Sequence, residues 1–261
     1  MMKKYLILFF SLAVSVLSFA QFDDEISKSQ LYDKASDMEV YVQMLAKDKL
    51  YLINNLNKKQ AGKELDYALA KMAENISDLD LSIENPAISE QLKNAKKIWN
   101  KFNLRITKNL SLKEFTSLYF EVNTFDRQLS GIVEKMKINY QIPEEQIVRY
   151  DEIQKFRKLI QKISISYYAD YLGLSKSFSH EYKKNIEDVD KFIKQKSNLF
   201  LNDPVSGKLF SDVIIDWNFF RSNIFHKTIK NPKTIFSLST AIDHKLKEIK
   251  NRYIQKLNQA F

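Results

Sequence analysis

The chain has no cysteine among its 261 residues and only four glycines, four prolines and three histidines. Without cysteine there is no disulfide, no thiolate nucleophile and no thiolate zinc ligand. The histidines, His180, His226 and His244, have no metal-ligating partner four residues away. Neither an H-E-x-x-H zinc helix nor the Glu-x-x-His pairs of a di-iron bundle can be assembled from them. A glycine-rich phosphate loop and a G-x-S-x-G elbow are also missing, and no paired carboxylate signature replaces them. The chain is therefore expected to be no enzyme, to bind no metal and to need no cofactor.

What is present is a pattern written twice. Gln43 and Gln161, the dipeptides Asn85-Pro86 and Asp203-Pro204, and Trp99-Asn100-x-Phe102 and Trp217-Asn218-x-Phe220 each recur 118 residues apart. The apolar stripes repeat with them. Leu92, Ala95, Trp99, Phe102 and Ile106 step by three and four, and Phe210, Val213, Trp217, Phe220 and Ile224 do the same, as on one face of an amphipathic helix. Met38, Val42 and Leu45 match Phe156, Ile160 and Ile163, whereas Phe125 falls opposite Lys245 in the least faithful segment. A fixed period of this kind implies a duplicated structural unit.

The expected fold is all-α: two tandem up-down four-helix units from an internal duplication, residues 21–141 and 142–261, following a signal peptide at 1–20. The helices are placed near 24–57, 59–82, 86–108 and 112–139, then 143–172, 175–199, 204–227 and 232–259. Every proline falls at a helix start, where its missing N–H is harmless. Asn85, Asp203 and Asn231 precede three of the prolines as N-caps, and Ser111 with Glu114 forms a capping box. Short connections between long helices make neighbours antiparallel. If the fourth and fifth helices run nearly continuously through Gln141-Ile142-Pro143, the two units stack end to end as a rod. Trp99, Phe102, Trp217 and Phe220 are the expected core.

Lys3-Lys4, the apolar run Tyr5 to Leu17 and the small residues of Ser18-Phe19-Ala20 have the form of a secretory signal peptide. The mature chain is expected outside the cytoplasm, periplasmic or secreted, and lipid attachment through a cysteine at the cleavage site is excluded. The full chain has a formal net charge of +9, of which Lys3 and Lys4 contribute two. The remaining lysines are spread among aspartates and glutamates without a basic aromatic stripe, so they read as solvated helix faces and no nucleic-acid partner is expected. The local group Lys227, Lys230 and Lys233 is the best candidate for an anion or surface contact.

One segment carries a family resemblance. Ala35-Ser36-x-x-Glu39-x-x-x-Gln43-Met44-Leu45-Ala46-Lys47 resembles the A-G-x-x-R-M-L-S-Q-R-[IM]-A-K helix of the N-terminal sensor domain of type IV pilus methyl-accepting chemotaxis transducers. That domain is similar to the periplasmic helical bundle of nitrate/nitrite sensors. Arg157 to Ser164 lies over the same motif in the second half. The resemblance implies an extracytoplasmic, sensor-like bundle that binds a small ligand or anion between helices or at a subunit interface. In the nitrate-sensing relatives an arginine of this helix grips the anion; the matching positions are Glu39, which cannot do so, and Arg157, which keeps the charge.

The ligand-binding candidates are thus Arg157, Gln161 and Gln43. Arg157 and Gln161 are four apart and share a helix face, and a buried guanidinium there needs an acidic partner or a water-filled pocket. Tyr167, Tyr168 and Tyr171 read as bundle core and rim. No membrane-crossing helix or cytoplasmic signalling module is expected after Phe261, an expectation that separates the chain from a receptor. The alternative function is a structural or adaptor protein of the cell envelope that meets another protein, or a second copy of itself, through helix faces. A pocket beside Gln161 and Arg157 favours the ligand; solid packing there with an exposed apolar stripe elsewhere favours the adaptor.

Overall fold

The Ser27 hydroxyl accepts from the Gln30 amide, and the Gln30 side chain accepts in return from the Ser27 N–H. This capping box starts α1, Lys28–Ile53, in a computed structural model that describes residues 26–142, 144–204, 206–225 and 231–258. The signal-peptide segment, Pro143, His226, Lys227 and Lys230 lie outside the described residues. After α1 come α2 (Lys58–Ser82), α3 (Pro86–Ile106), α4 (Leu112–Asn139), α5 (Glu144–Tyr171), α6 (Lys176–Lys196), α7 (Asn198–Leu201), α8 (Gly207–Phe225) and α9 (Pro232–Asn258). The protein is all-α, and the described residues contain no strand.

Local chemistry places most of these ends. Asn85 accepts from the amides of Ala87 and Ile88, Asn231 from Thr234, and Ser111 and Glu114 close their capping box, as the sequence predicts. Pro204 departs from expectation. It lies in a turn, and α8 starts three residues later at Gly207. The unanticipated one-turn α7 takes up this stretch. Phe200 is buried there, stacked on Phe210 with ring centroids 4.7 Å apart. A Cβ on Gly207 would meet the Leu201 carbonyl oxygen at 2.5 Å, so only glycine allows α7 and α8 to approach this closely.

The end-to-end rod is corrected by the α4–α5 connection. Gln141 takes a left-handed φ of 53°, and the Ile142 amide donates back to the Lys137 carbonyl at 3.4 Å, a Schellman-type stop. The chain then reverses. Lys137 reaches Asp151 at 2.9 Å, Ser130 reaches Lys158 at 3.5 Å and Asp126 reaches Lys162 at 3.0 Å, so α5 runs antiparallel alongside α4. In consequence α5 lies parallel to α1. Tyr32 meets Tyr150 at 5.7 Å between ring centroids, Asp37 meets Arg157 at 2.8 Å, Glu39 meets Lys158 at 2.7 Å and Tyr51 meets Tyr168 at 4.3 Å. The two halves therefore sit side by side rather than tip to tip. Helix α1 packs on α2, α4, α5 and α9, and α5 on α1, α6 and α9; α3 closes against α4, and α8 against α9.

This arrangement divides the helices into central and peripheral ones. Helix α3 buries one stripe, Ile88, Leu92, Ala95, Trp99, Phe102 and Ile106, as an outer amphipathic helix does. Helix α8 does the same with Phe210, Val213, Trp217, Phe220 and Ile224. Helix α1, by contrast, buries every residue from Val40 to Tyr51, and those include Gln43, Lys47, Asp48 and Lys49. Buried charge is tolerated only when it is paired, so the centre of the molecule has to satisfy these groups across helices.

Candidate functional site

Arg157 on α5 is fully buried, and its donors converge on two acids. Its Nε donates to Asp243 on α9 at 2.9 Å; Nη1 donates to Asp37 on α1 at 2.8 Å and to Gln154 Oε1 at 2.8 Å. Lys250 on α9 is also buried, 2.8 Å from Asp33 and 2.9 Å from Asp37. Tyr150 donates to Asp33 at 2.7 Å. Burial opposes the Asp37 charge, but Lys250 and Arg157 together with the Gln154 amide outweigh it and hold the carboxyl well below the usual range. Burial likewise opposes the Arg157 charge, and Asp243 and Asp37 overcome it. Asp33 is pushed the other way, raised by burial and by Asp37 against the pull of Lys250. The result is a buried charged seam that ties α1 to α5 and α9.

The expectation for Arg157 as an anion grip is corrected by this seam. Its neighbours are carboxylates that already occupy the guanidinium, which repel an oxyanion and leave it no bidentate face. Glu39, at the matching position of the first half, is likewise paired, with Lys158 at 2.7 Å and with the Ser130 hydroxyl. Lys158 and Lys162 in turn hold Asp126 at 2.8 and 3.0 Å.

Beside the seam lies a cavity of about 360 Å³ where α1, α2, α5 and α9 meet, its walls including Tyr41, Met44, Lys47, Glu64, Arg157 and Gln161. Lys47 is fully buried, 2.9 Å from Glu64 and 4.5 Å from the centre of the Phe236 ring. Burial opposes its charge, but Asp48 and Glu64 prevail and keep the ammonium above its ordinary range. The Thr240 hydroxyl donates to Glu64 at 3.1 Å. Gln161 differs from all of these. It is fully buried, and neither its amide nitrogen nor its oxygen has a hydrogen-bond partner. Gln43 is equally buried and equally without partners, but it is not part of the cavity wall.

Asp48 carries the least favourable charge in the region. Neither of its oxygens accepts a hydrogen bond, and its nearest counter-charge is Lys47 at 3.5 Å. Burial raises its pKa well above the ordinary value; Lys47 draws it back, and Glu64 and Asp243 push it further up. A carboxyl whose folded pKa is raised costs nothing below the unfolded value near about 3.9, then destabilises increasingly as pH climbs to the folded pKa. Asp48→Asn should therefore raise the melting temperature at about pH 7, with the gain fading to nothing near about pH 3. Thermal melts across that range check it; a gain independent of pH would mean that the carboxylate charge is not the cause.

Other sequence candidates fall where packing needs them. Tyr168 packs on Tyr51 and Tyr171, and Tyr167 packs edge-on to Tyr182. Only Tyr171 of the three is exposed, so these rings form core and rim and no cage. Lys233 lies with Lys58, Lys59 and Lys63 around an open concavity at the α1–α2 turn. His244 reaches the rim of the Gln161 cavity, from a different helix than His180. Among the described residues no group of His, Asp or Glu could hold a metal ion, and no helix is long and apolar enough to cross a membrane.

Sequence reasoning missed Asp37, Lys47, Asp48, Asp243 and Lys250. The available cue was polar residues occurring on every side of α1 between apolar ones, a pattern that also fits a solvated helix. In comparisons with known proteins, no family model, no curated protein and no solved structure matches this chain.

Proposed function

We propose that this chain is an exported, sensor-like binding module of two repeated four-helix units that holds a small molecule in the cavity between α1, α2, α5 and α9. It carries out no catalysis. The observation that carries the reading is the Gln161 amide, fully buried at the cavity wall with no partner for either end. Buried polar groups are as a rule hydrogen-bonded, and leaving one unmade costs about 1–3 kcal/mol. A ligand that completes these bonds accounts for a glutamine there. Export rests on the pattern of residues 3–20, and the repeat on the 118-residue recurrence. Kinship with the chemotaxis-transducer sensor domain belongs to the same proposal, without its anion-gripping arginine.

Gln161→Met tests it, because methionine keeps the length of the side chain and removes the amide. The ligand-free variant should be more stable than the parent by about 1 kcal/mol, read by urea unfolding. Native mass spectrometry of protein isolated from its own source should show a small adduct on the parent that the variant lacks. Unchanged stability together with no adduct would overturn the reading.

The adaptor reading retains one observation in its favour. Ile215 and Phe219, four residues apart on α8, and Phe225 at its end are exposed, more apolar surface than an outer helix needs.

A further inference from the structure

The cavity walls also specify the kind of molecule they admit, an inference that rests on the binding-module reading. Every charge on the inner wall is already matched. Lys47 is paired with Glu64, and Arg157 with Asp37 and Asp243. Thr240 spends its hydrogen on Glu64, and Tyr41 donates to Asp37 at 3.4 Å. Lys247, on the mouth of the cavity, donates to the Tyr67 hydroxyl. An ammonium entering here would give up its hydration and find no unpaired carboxylate; a carboxylate would find only Lys247, which is at the mouth, hydrogen-bonded to the Tyr67 hydroxyl and seated 4.8 Å from the centre of its ring. What stays unsatisfied is the Gln161 amide, a donor and an acceptor side by side on a residue of the wall, with Met44 and the Tyr41 ring providing apolar contact. The volume of about 360 Å³ is at the small end of ligand sites and equals roughly a dozen waters at about 30 Å³ each.

We infer that the ligand is a small uncharged molecule with an amide-like edge, a hydrogen-bond donor next to an acceptor, on an apolar body. Its edge pairs with the Gln161 amide, donor to acceptor and acceptor to donor. The rejection of ions is electrostatic: the matched wall charges hold each other, so an ion gains nothing from displacing them. Rejection of a purely apolar molecule has a different cause, since it would leave the Gln161 amide unpaired.

Three probes of one size separate the chemistries: benzamide, benzoate and benzamidinium, titrated at neutral pH by calorimetry into the parent chain, Gln161→Met and Gln161→Glu. Benzamide should bind the parent at least tenfold more tightly than either ion and lose at least tenfold on Gln161→Met. On Gln161→Glu the order should invert in favour of benzamidinium, because a carboxylate accepts from both of its N–H groups. An ion preferred by the parent, benzamide affinity unchanged in Gln161→Met, or no binding by any probe would each overturn the inference. Circular dichroism confirms that the variants are folded. A Gln161-dependent native-mass adduct alongside any of these results overturns the ligand class and spares the binding-module reading; absence of the adduct as well overturns both.

Discussion

Arg157→Leu should cost about 3–5 kcal/mol of stability at neutral pH, the range for removing one partner from a buried ion pair. The substitution leaves Asp37 and Asp243 buried around an apolar side chain, with Lys250 at 2.9 Å the one cation still on Asp37, beside the neutral Gln154 amide and Tyr41 hydroxyl. The penalty has a pH signature. In the parent the Asp37 carboxyl is held below its ordinary range against burial, by Lys250 and Arg157. Its stabilising contribution is therefore present above the unfolded carboxylate pKa of about 3.9 and is lost as pH falls through the lower, folded value. The gap between parent and Arg157→Leu should narrow in acid, measured by urea unfolding at about pH 7 and about pH 3. Adding Asp37→Asn to Arg157→Leu should cost less than the two changes separately, because the second then removes a charge already stranded. Additive losses would show that the two side chains do not interact across α1 and α5.

Trp217→Ala should cost about 3–5 kcal/mol as well, the usual range for deleting a buried aromatic. The ring is 1% exposed, meets Phe156 edge-on at 6.2 Å and Phe220 at 5.6 Å, and donates its N–H to Asp190 at 3.0 Å. Trp99, 5% exposed and packed on Phe102 and Phe125, should fall in the same range on Trp99→Ala. Trp217→Phe separates the two contributions. It keeps most of the ring packing and forfeits the hydrogen bond, about 1 kcal/mol. Denaturant unfolding followed by circular dichroism measures all three. A loss for Trp217→Ala no greater than for Trp217→Phe would mean that the core around α8 does not depend on the ring.

Much of the fold is legible in the sequence because helix signals are local. The stripe through Trp99 and Phe102 and the one through Trp217 and Phe220 place α3 and α8, and the Ser111–Glu114 box and the Asn85 and Asn231 caps mark helix starts to the residue. The short α7 was not legible. It depends on Phe200 stacking against Phe210 and on a close approach that only Gly207 permits, and neither is a periodic signal. The reversal at Gln141 was missed for a related reason: the left-handed φ falls on a glutamine, where glycine or asparagine would have announced it. For the site, Gln161 and Arg157 were found through a motif, whereas the partners that decide Arg157's role, Asp37 and Asp243, lie on other helices.

By itself, the sequence determined the class of structure, the extent of the long helices, their caps and the aromatic stripes of the outer ones. All of these follow from contacts within a few residues along the chain, which a period of 3.6 records. Tertiary structure alone decided that α1 and α5 lie parallel at the centre and that Lys47, Arg157 and Lys250 are buried rather than solvated. It also decided that Arg157 answers to acids while Gln161, on the cavity wall, keeps an unpartnered amide. Lys250 and Asp37 are 213 residues apart, and no periodicity spans that distance. A lysine on a solvated face and a lysine in a charged core look alike until the opposing helix supplies the carboxylate that makes burial affordable.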